Sequence, residues 1–222
     1  MPRCIIFANG TLPDMHSARE LIRPDDLILA ADGGTRHALD LGLRPSVIIG
    51  DLDSATFDLK PLTEAGTRII RHPRDKNKTD LELALEHAVE DGQREIIILA
   101  ALGGRLDQTL GNLSLLTKPQ YAALDIRVDD GVEEAFFIRD GALIRGECGD
   151  LVSLIPWGRE VHGIHTEGLR WPLSNETLYP YQTRGISNEM PGNTASIKIG
   201  SGLLLVIHRR QLKNENQRSE TK

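Results

Sequence analysis

The chain has 222 residues, 40% of them hydrophobic and 4% aromatic, and carries a formal net charge of -6. That size suits one large or two small domains with a real core and argues against intrinsic disorder. The acidic balance argues against nucleic-acid binding, and two cysteines, Cys4 and Cys148, are too few for a disulfide framework or a thiolate zinc site.

The first apolar run, Cys4–Ala8, stops at the turn signal Asn9-Gly10 and reads as a strand; it is too short for the apolar region of a signal peptide. No stretch is apolar for long enough to span a membrane, so a cytoplasmic protein is expected. Further runs follow at Leu27–Ala31, Val47–Ile49, Arg68–Ile70 and Glu95–Leu102, several of them apolar on consecutive positions, as in strands covered on both faces. Between them, Thr35–Leu41, Asp80–Asp91 and Leu106–Leu116 have helical spacing, with Leu106, Leu110 and Leu113 on one stripe. This alternation predicts an α/β domain with a mostly parallel sheet over residues 1–135.

The pattern changes near residue 135. Short alternating runs broken by glycine and proline follow, at Ala142–Arg145, Leu151–Pro156, Ile197–Ile199 and Leu203–His208. They predict a smaller all-β sandwich domain over 136–212, and the polar end, 213–222, is expected to be disordered.

The informative feature is where the acids fall. Leu27–Ala31 ends in Asp32-Gly33-Gly34, Val47–Ile49 in Gly50-Asp51-Leu52-Asp53-Ser54, and Glu95–Leu102 in Gly103-Gly104-Arg105-Leu106-Asp107. In a parallel sheet these ends share one edge, where open α/β sheets bind ligands. Asp51 and Asp53, two apart, would point to one side of an extended chain, and two such acids call for a cation. Their hard oxygens suit magnesium. Asp32 alone reads as a turn residue more readily than as a ligand.

In Lys76-Asn77-Lys78-Thr79-Asp80-Leu81-Glu82, Thr79 and Glu82 fit a capping box opening a helix. The same helix start, with Lys76 and Lys78 beside it, fits an anion site whose bound metal Asp80 would face. Arg105 reads either as an ion-pair partner of Asp107 or as a phosphate clamp. P-loop, dinucleotide-binding, zinc-protease and nucleophile-elbow motifs are all missing from the sequence. His162 and His165 have no evident third ligand, and Trp171 reads as a core aromatic more readily than as a stacking platform.

These four motifs, in this order and spacing, resemble the thiamine pyrophosphokinase family, as do Thr166–Leu173 and Gly185–Glu189. The resemblance implies an ATP- and magnesium-binding α/β domain, a thiamine-binding β-sandwich, and a homodimer with thiamine in a cleft between subunits. It implies transfer of a pyrophosphoryl group from ATP to thiamine, releasing AMP. Asp51, Asp53, Asp80 and Asp107 fall on the family's metal-binding acids and, with Arg105, on its catalytic positions. Asp32, Gly33, Ser54, Lys76, Thr79, Gln108 and Asn112 fall on nucleotide or substrate positions, and Ser187 and Asn188 on the motif beside thiamine. Either Asp80 or Asp107 would take the hydroxyl proton. Asn77 stands where bacterial members usually carry an acid, and Gln108 where many carry histidine, so no histidine base acts at 108. Two rivals are a pyrophosphokinase for a related alcohol and a non-catalytic regulator that binds nucleotide or thiamine.

Overall fold

Consecutive apolar residues in a strand need cover on both faces, and the first of two compact units provides it. The computed structural model describes residues 3–53 and 58–211. Two expectations, Ser54 as a binding residue and the disordered tail over 213–222, lie outside them. The units are Met1–Gly131 and Val132–Lys222.

The first unit alternates strand and helix: β1 (Cys4–Phe7), α1 (Met15–Glu20), β2 (Leu27–Ala31), α2 (Gly34–Asp40), β3 (Val47–Gly50), α3 (Lys60–Glu64), β4 (Arg68–Arg71), α4 (Asp80–Glu90), β5 (Glu95–Leu99), α5 (Leu106–Leu115) and β6 (Asp125–Asp129). The strands lie in the order β6-β5-β1-β2-β3-β4. Every pairing among them is parallel. Strand order reverses at β1, which pairs with β2 on one side and β5 on the other, and such a switch point opens a crevice beyond the strand ends.

Helix α4 shows why the layers adhere. Its buried residues, Leu81, Ala84, Leu85 and Ala88, fall on one stripe. That stripe packs against β1, β2 and β3. Ile5, Phe7, Ala30, Ile48 and Leu99 are buried beside one another in the sheet. Each large side chain so buried contributes about 1.5–3 kcal/mol. Helix α5 differs from expectation: of the stripe Leu106, Leu110 and Leu113, only Leu113 is buried, while Leu106 is 72% and Leu110 49% exposed.

The second unit is all β: β7 (Glu133–Ile138), β8 (Gly141–Arg145), β9 (Leu151–Pro156), β10 (Val161–Glu167), β11 (Ser174–Leu178), β12 (Asn188–Glu189), β13 (Thr194–Lys198) and β14 (Leu204–Arg209). These form two antiparallel sheets, β12-β9-β14-β7 and β11-β10-β13-β8. Alternate residues point inward, as in β9, where Val152, Leu154 and Pro156 are buried and their neighbours are not. Val152, Leu154 and Val206 from one sheet join Val161, Ile164 and Ile197 from the other in one core, a sandwich.

Candidate active site

The strand ends at the switch point fold into a cavity of about 920 Å³ in the first unit. Its floor follows from backbone pairing that continues past β1 and β5: Ala8 N–H donates to Leu99 O, Gly10 N–H to Ala100 O and Thr11 N–H to Leu102 O, at 2.8, 2.7 and 3.1 Å. Only glycine fits at position 10, because a Cβ there would lie 2.5 Å from the Ala100 carbonyl oxygen. From α2, the His37 imidazole meets the Gly10 carbonyl at 3.0 Å and fixes the loop from the other side. Beyond β5, Gly103 and Gly104 take φ of +74° and +71°, a left-handed pair that turns the chain into α5.

Eight of the expected residues line this cavity: Asp32, Asp51, Lys76, Thr79, Asp80, Arg105, Gln108 and Asn112. Asp32 closes β2 with φ of +43°, its N–H bonded to Ile49 O and its carbonyl accepting from Thr35. Thr79 caps α4 by accepting from Glu82 N–H at 3.2 Å. The returning half of the expected capping box is not seen, since the Glu82 carboxylate turns to Lys118 Nζ at 2.6 Å. Asn112 is buried and donates from Nδ2 to the Ala101 carbonyl at 2.8 Å.

Charge is arranged around Lys76. Its ammonium lies 3.1 Å from Asp80 Oδ1 and 3.7 Å from Asp51 Oδ2, and it donates to Pro73 O. Asp80 Oδ1 is buried and accepts no well-formed hydrogen bond. Arg74, Lys78 and Arg105 add positive charge to the lining, beside the first turn of α4. An eleven-residue helix start with cations around it binds anionic oxygen. Lys78 is tethered to Glu86 at 2.6 Å, a hydrogen bond that raises its pKa.

The remaining expected residues lie elsewhere. Gly33 sits behind the lining as the N-cap of α2, close against the Asn9 side chain. Leu52 takes φ of +60°, so the chain is not extended between Asp51 and Asp53 and the two carboxylates do not share a side. Asp53 is exposed, and its N–H donates to Asp51 Oδ1 at 3.1 Å. Asp107 is exposed and gripped by Arg105 through Nε at 3.1 Å, a hydrogen bond that lowers its pKa. Among the described residues, no three His, Cys, Asp or Glu side chains gather closely enough to hold a metal ion. The four acids Asp51, Asp53, Asp80 and Asp107 therefore do not converge; Asp51 and Asp80 do, around a lysine.

Ser187 and Asn188 belong to the second unit. Ser187 takes φ of +55°, with its N–H bonded to Ser153 Oγ at 2.9 Å. The buried Asn188 amide accepts from Trp171 N–H and donates to Trp171 O, bracing a loop that leaves Trp171 57% exposed with Arg170 over its ring. Trp171 is thus a surface residue and not a core one.

Sequence reasoning missed Asn9, Gly10, Thr11 and Arg74 in the lining. A signal for the first two was present, because β1 ends in Asn9-Gly10 much as the other strands end in acid and glycine.

Residues 18–128 match the family model described as thiamin pyrophosphokinase, catalytic domain, and residues 142–204 the model for its vitamin B1 binding domain. The chain belongs to the thiamine pyrophosphokinase family. It is 30% identical over 184 residues to thiamine pyrophosphokinase of Bacillus subtilis (strain 168), covering 82% of this chain and 86% of the relative. It is 27% identical over 208 residues to thiamine pyrophosphokinase 1 of Oryza sativa subsp. japonica, covering 82% and 78%. The crystal structure of the Bacillus subtilis thiamine pyrophosphokinase superposes with a TM-score of 0.84 at 28% identity, covering 95% of this chain and all of that one. As a member of the thiamine pyrophosphokinase family the chain is an enzyme, and its catalytic-domain match spans the cavity lining from Ala31 to Asn112.

Proposed function

We propose that this chain transfers the pyrophosphoryl group of ATP to the hydroxyl of thiamine, giving thiamine diphosphate and AMP. The observation that carries this is a single cavity joining a helix start, four cationic side chains and the Asp51–Lys76–Asp80 cluster. The hydroxyl oxygen attacks the β-phosphorus, the bond from that phosphorus to the α-phosphate oxygen breaks, and AMP leaves. Such transfer needs positioning and charge neutralisation more than covalent catalysis. Arg74, Lys78, Arg105 and the α4 N–H groups supply positive charge for the polyphosphate. Of the two acids weighed as proton acceptor, Asp80 lines the cavity and Asp107 does not, so the hydroxyl proton is assigned to Asp80.

The donor set fits magnesium. Two carboxylates already share one cationic group, and Asp80 Oδ1 is a buried oxygen that no hydrogen bond satisfies. Asp51 and Asp80 would hold the ion, which when bound neutralises phosphate charge. Asp53 and Asp107 are assigned supporting parts, the first through its N–H to Asp51 and the second through its hold on Arg105. Asp32, Gln108, Thr79 and Asn112 shape the nucleotide side, with Gly33 behind them. Ser187 and Asn188 shape the thiamine-binding side of the second unit.

We place the enzyme in the cytoplasm as a homodimer. Among the described residues no helix is long and apolar enough to cross a membrane. The exposed Leu106 and Leu110, one turn apart on α5, offer an apolar face of the kind a subunit contact covers. Sedimentation showing only monomer at micromolar protein would remove the dimer. For the reaction, protein incubated with ATP, magnesium and thiamine should yield AMP and thiamine diphosphate in equal amounts. No AMP at any magnesium concentration overturns the assignment.

A further inference from the structure

Lys76 stands where a divalent cation would be expected, between two carboxylates of the cavity lining, Asp51 and Asp80. The three side chains are 14%, 20% and 24% exposed, so their attraction is only partly screened by water. The ammonium is also anchored from behind by the Pro73 carbonyl at 3.2 Å. We propose that Lys76 is an internal counter-cation that occupies the Asp51–Asp80 pair in the nucleotide-free enzyme and yields it only when nucleotide phosphates arrive, so that metal enters with the nucleotide and not before it. This rests on the assignment of Asp51 and Asp80 to the metal.

The physical case is one of competing charges. Two carboxylates and one ammonium sum to a single negative charge, and a divalent ion approaching that pair must also face the ammonium. A polyphosphate changes both conditions. It brings oxygens that share the metal's charge, and it gives the lysine another anion to bind, in a cavity already lined by Arg74 and Lys78. Metal and nucleotide then favour each other's binding, and the coupling is reciprocal. Removing the lysine charge should tighten metal binding to the empty enzyme, an effect opposite in sign to structural damage.

The test is a titration of the nucleotide-free, full-length protein with Mn²⁺ alone, following the free ion by electron paramagnetic resonance. Lys76→Met and Lys76→Gln should bind Mn²⁺ about tenfold tighter than wild type or more, within the usual range of such couplings. Lys76→Arg, which keeps the charge, should stay within about threefold of wild type. The gain should vanish when Asp80→Asn is added to Lys76→Met. No gain in either neutral variant, or an equal gain in Lys76→Arg, overturns the proposal. So does a wild-type protein that already binds Mn²⁺ with micromolar affinity and loses it in Asp80→Asn. Production of AMP and thiamine diphosphate by the wild type tests the underlying function separately. Turnover with unaltered Mn²⁺ binding in the variants removes the lysine's role and leaves the reaction intact.

Discussion

The Asn112 amide on α5 donates to the carbonyl of Ala101 at 2.8 Å, tying the helix to the end of β5. Ala101 is buried, and the residue before it has φ of +55°, so the chain turns sharply just where the cavity floor begins. Asn112→Leu would leave that carbonyl without its donor in a dry place. The expected cost is about 1–3 kcal/mol of stability, read by denaturant unfolding. The Gly103–Arg105 loop should lose its anchor too, so KM for ATP should rise more than kcat falls. A variant as stable as wild type would show that the bond is not needed.

The acids in the cavity and those outside it should separate in kinetics. Asp51→Asn and Asp80→Asn are each expected to lower kcat/KM by about a hundredfold or more and to raise the magnesium concentration for half-maximal rate. Asp107→Asn should cost less than about tenfold, because that carboxylate is exposed and acts through Arg105. Its magnesium midpoint should stay where it is. Equal losses in all three variants, with equal magnesium shifts, would place Asp107 at the metal and contradict the geometry.

The sequence carried the sheet well because buried parallel strands are continuous apolar runs: Leu27–Ala31 stands as read, and the other runs of the first unit are shifted by one to three residues. It carried the second unit less completely. Strand β11, Ser174–Leu178, is mostly polar, and β10 is interrupted by Gly163 and two histidines, so neither shows an unbroken alternation. In the site, a residue's chemistry was legible and its direction was not. Asp51 and Asp53 are chemically alike, yet the positive φ at Leu52 decides that only one lines the cavity, and periodicity does not reveal a left-handed leucine. Lys76 is likewise readable as a cation near a helix start, but its seat between two acids needs the segment after β3 brought against the start of α4.

Gly10 gives a test of the cavity floor. A methyl group there would meet the Ala100 carbonyl oxygen at 2.5 Å and that of Leu102 at 2.9 Å, and backbone carbonyls cannot swing aside as a side chain can. Gly10→Ala should therefore part the β1 and β5 exits, at an overpacking cost of about 1–3 kcal/mol. Nucleotide binding, measured by calorimetry with a non-hydrolysable ATP analogue, should weaken at the same time. Wild-type stability and affinity together would mean that the two loops are free to separate.

In the second unit, His208 is fully buried between two carboxylates, with Nδ1 3.0 Å from Glu134 Oε1 and Nε2 2.8 Å from Asp150 Oδ2. Arg210 lies 3.7 Å from the same Glu134 oxygen. Burial alone would lower the imidazole pKa, but the two carboxylates outweigh it and raise the value above the ordinary 6.5. For Asp150, burial acts to raise the pKa, and the N–H groups of Glu147 and Gln211 with the His208 ring overcome it and hold the carboxyl below 3.8. The signs follow by linkage. The stability owed to His208 is fully present below pH 6.5 and is lost as pH rises through its raised folded value. The stability owed to Asp150 is present above pH 3.8 and is lost as pH falls through its lowered folded value. Melting temperature should thus fall on the alkaline side, as pH rises above 6.5 through the raised His208 value. His208→Ala should cost about 3–5 kcal/mol at pH 6, because it leaves Glu134 and Asp150 without the charge between them. It should also flatten the alkaline slope, which thermal melts at a series of pH values would show. A variant that is destabilised yet keeps the wild-type slope would mean that some other group titrates.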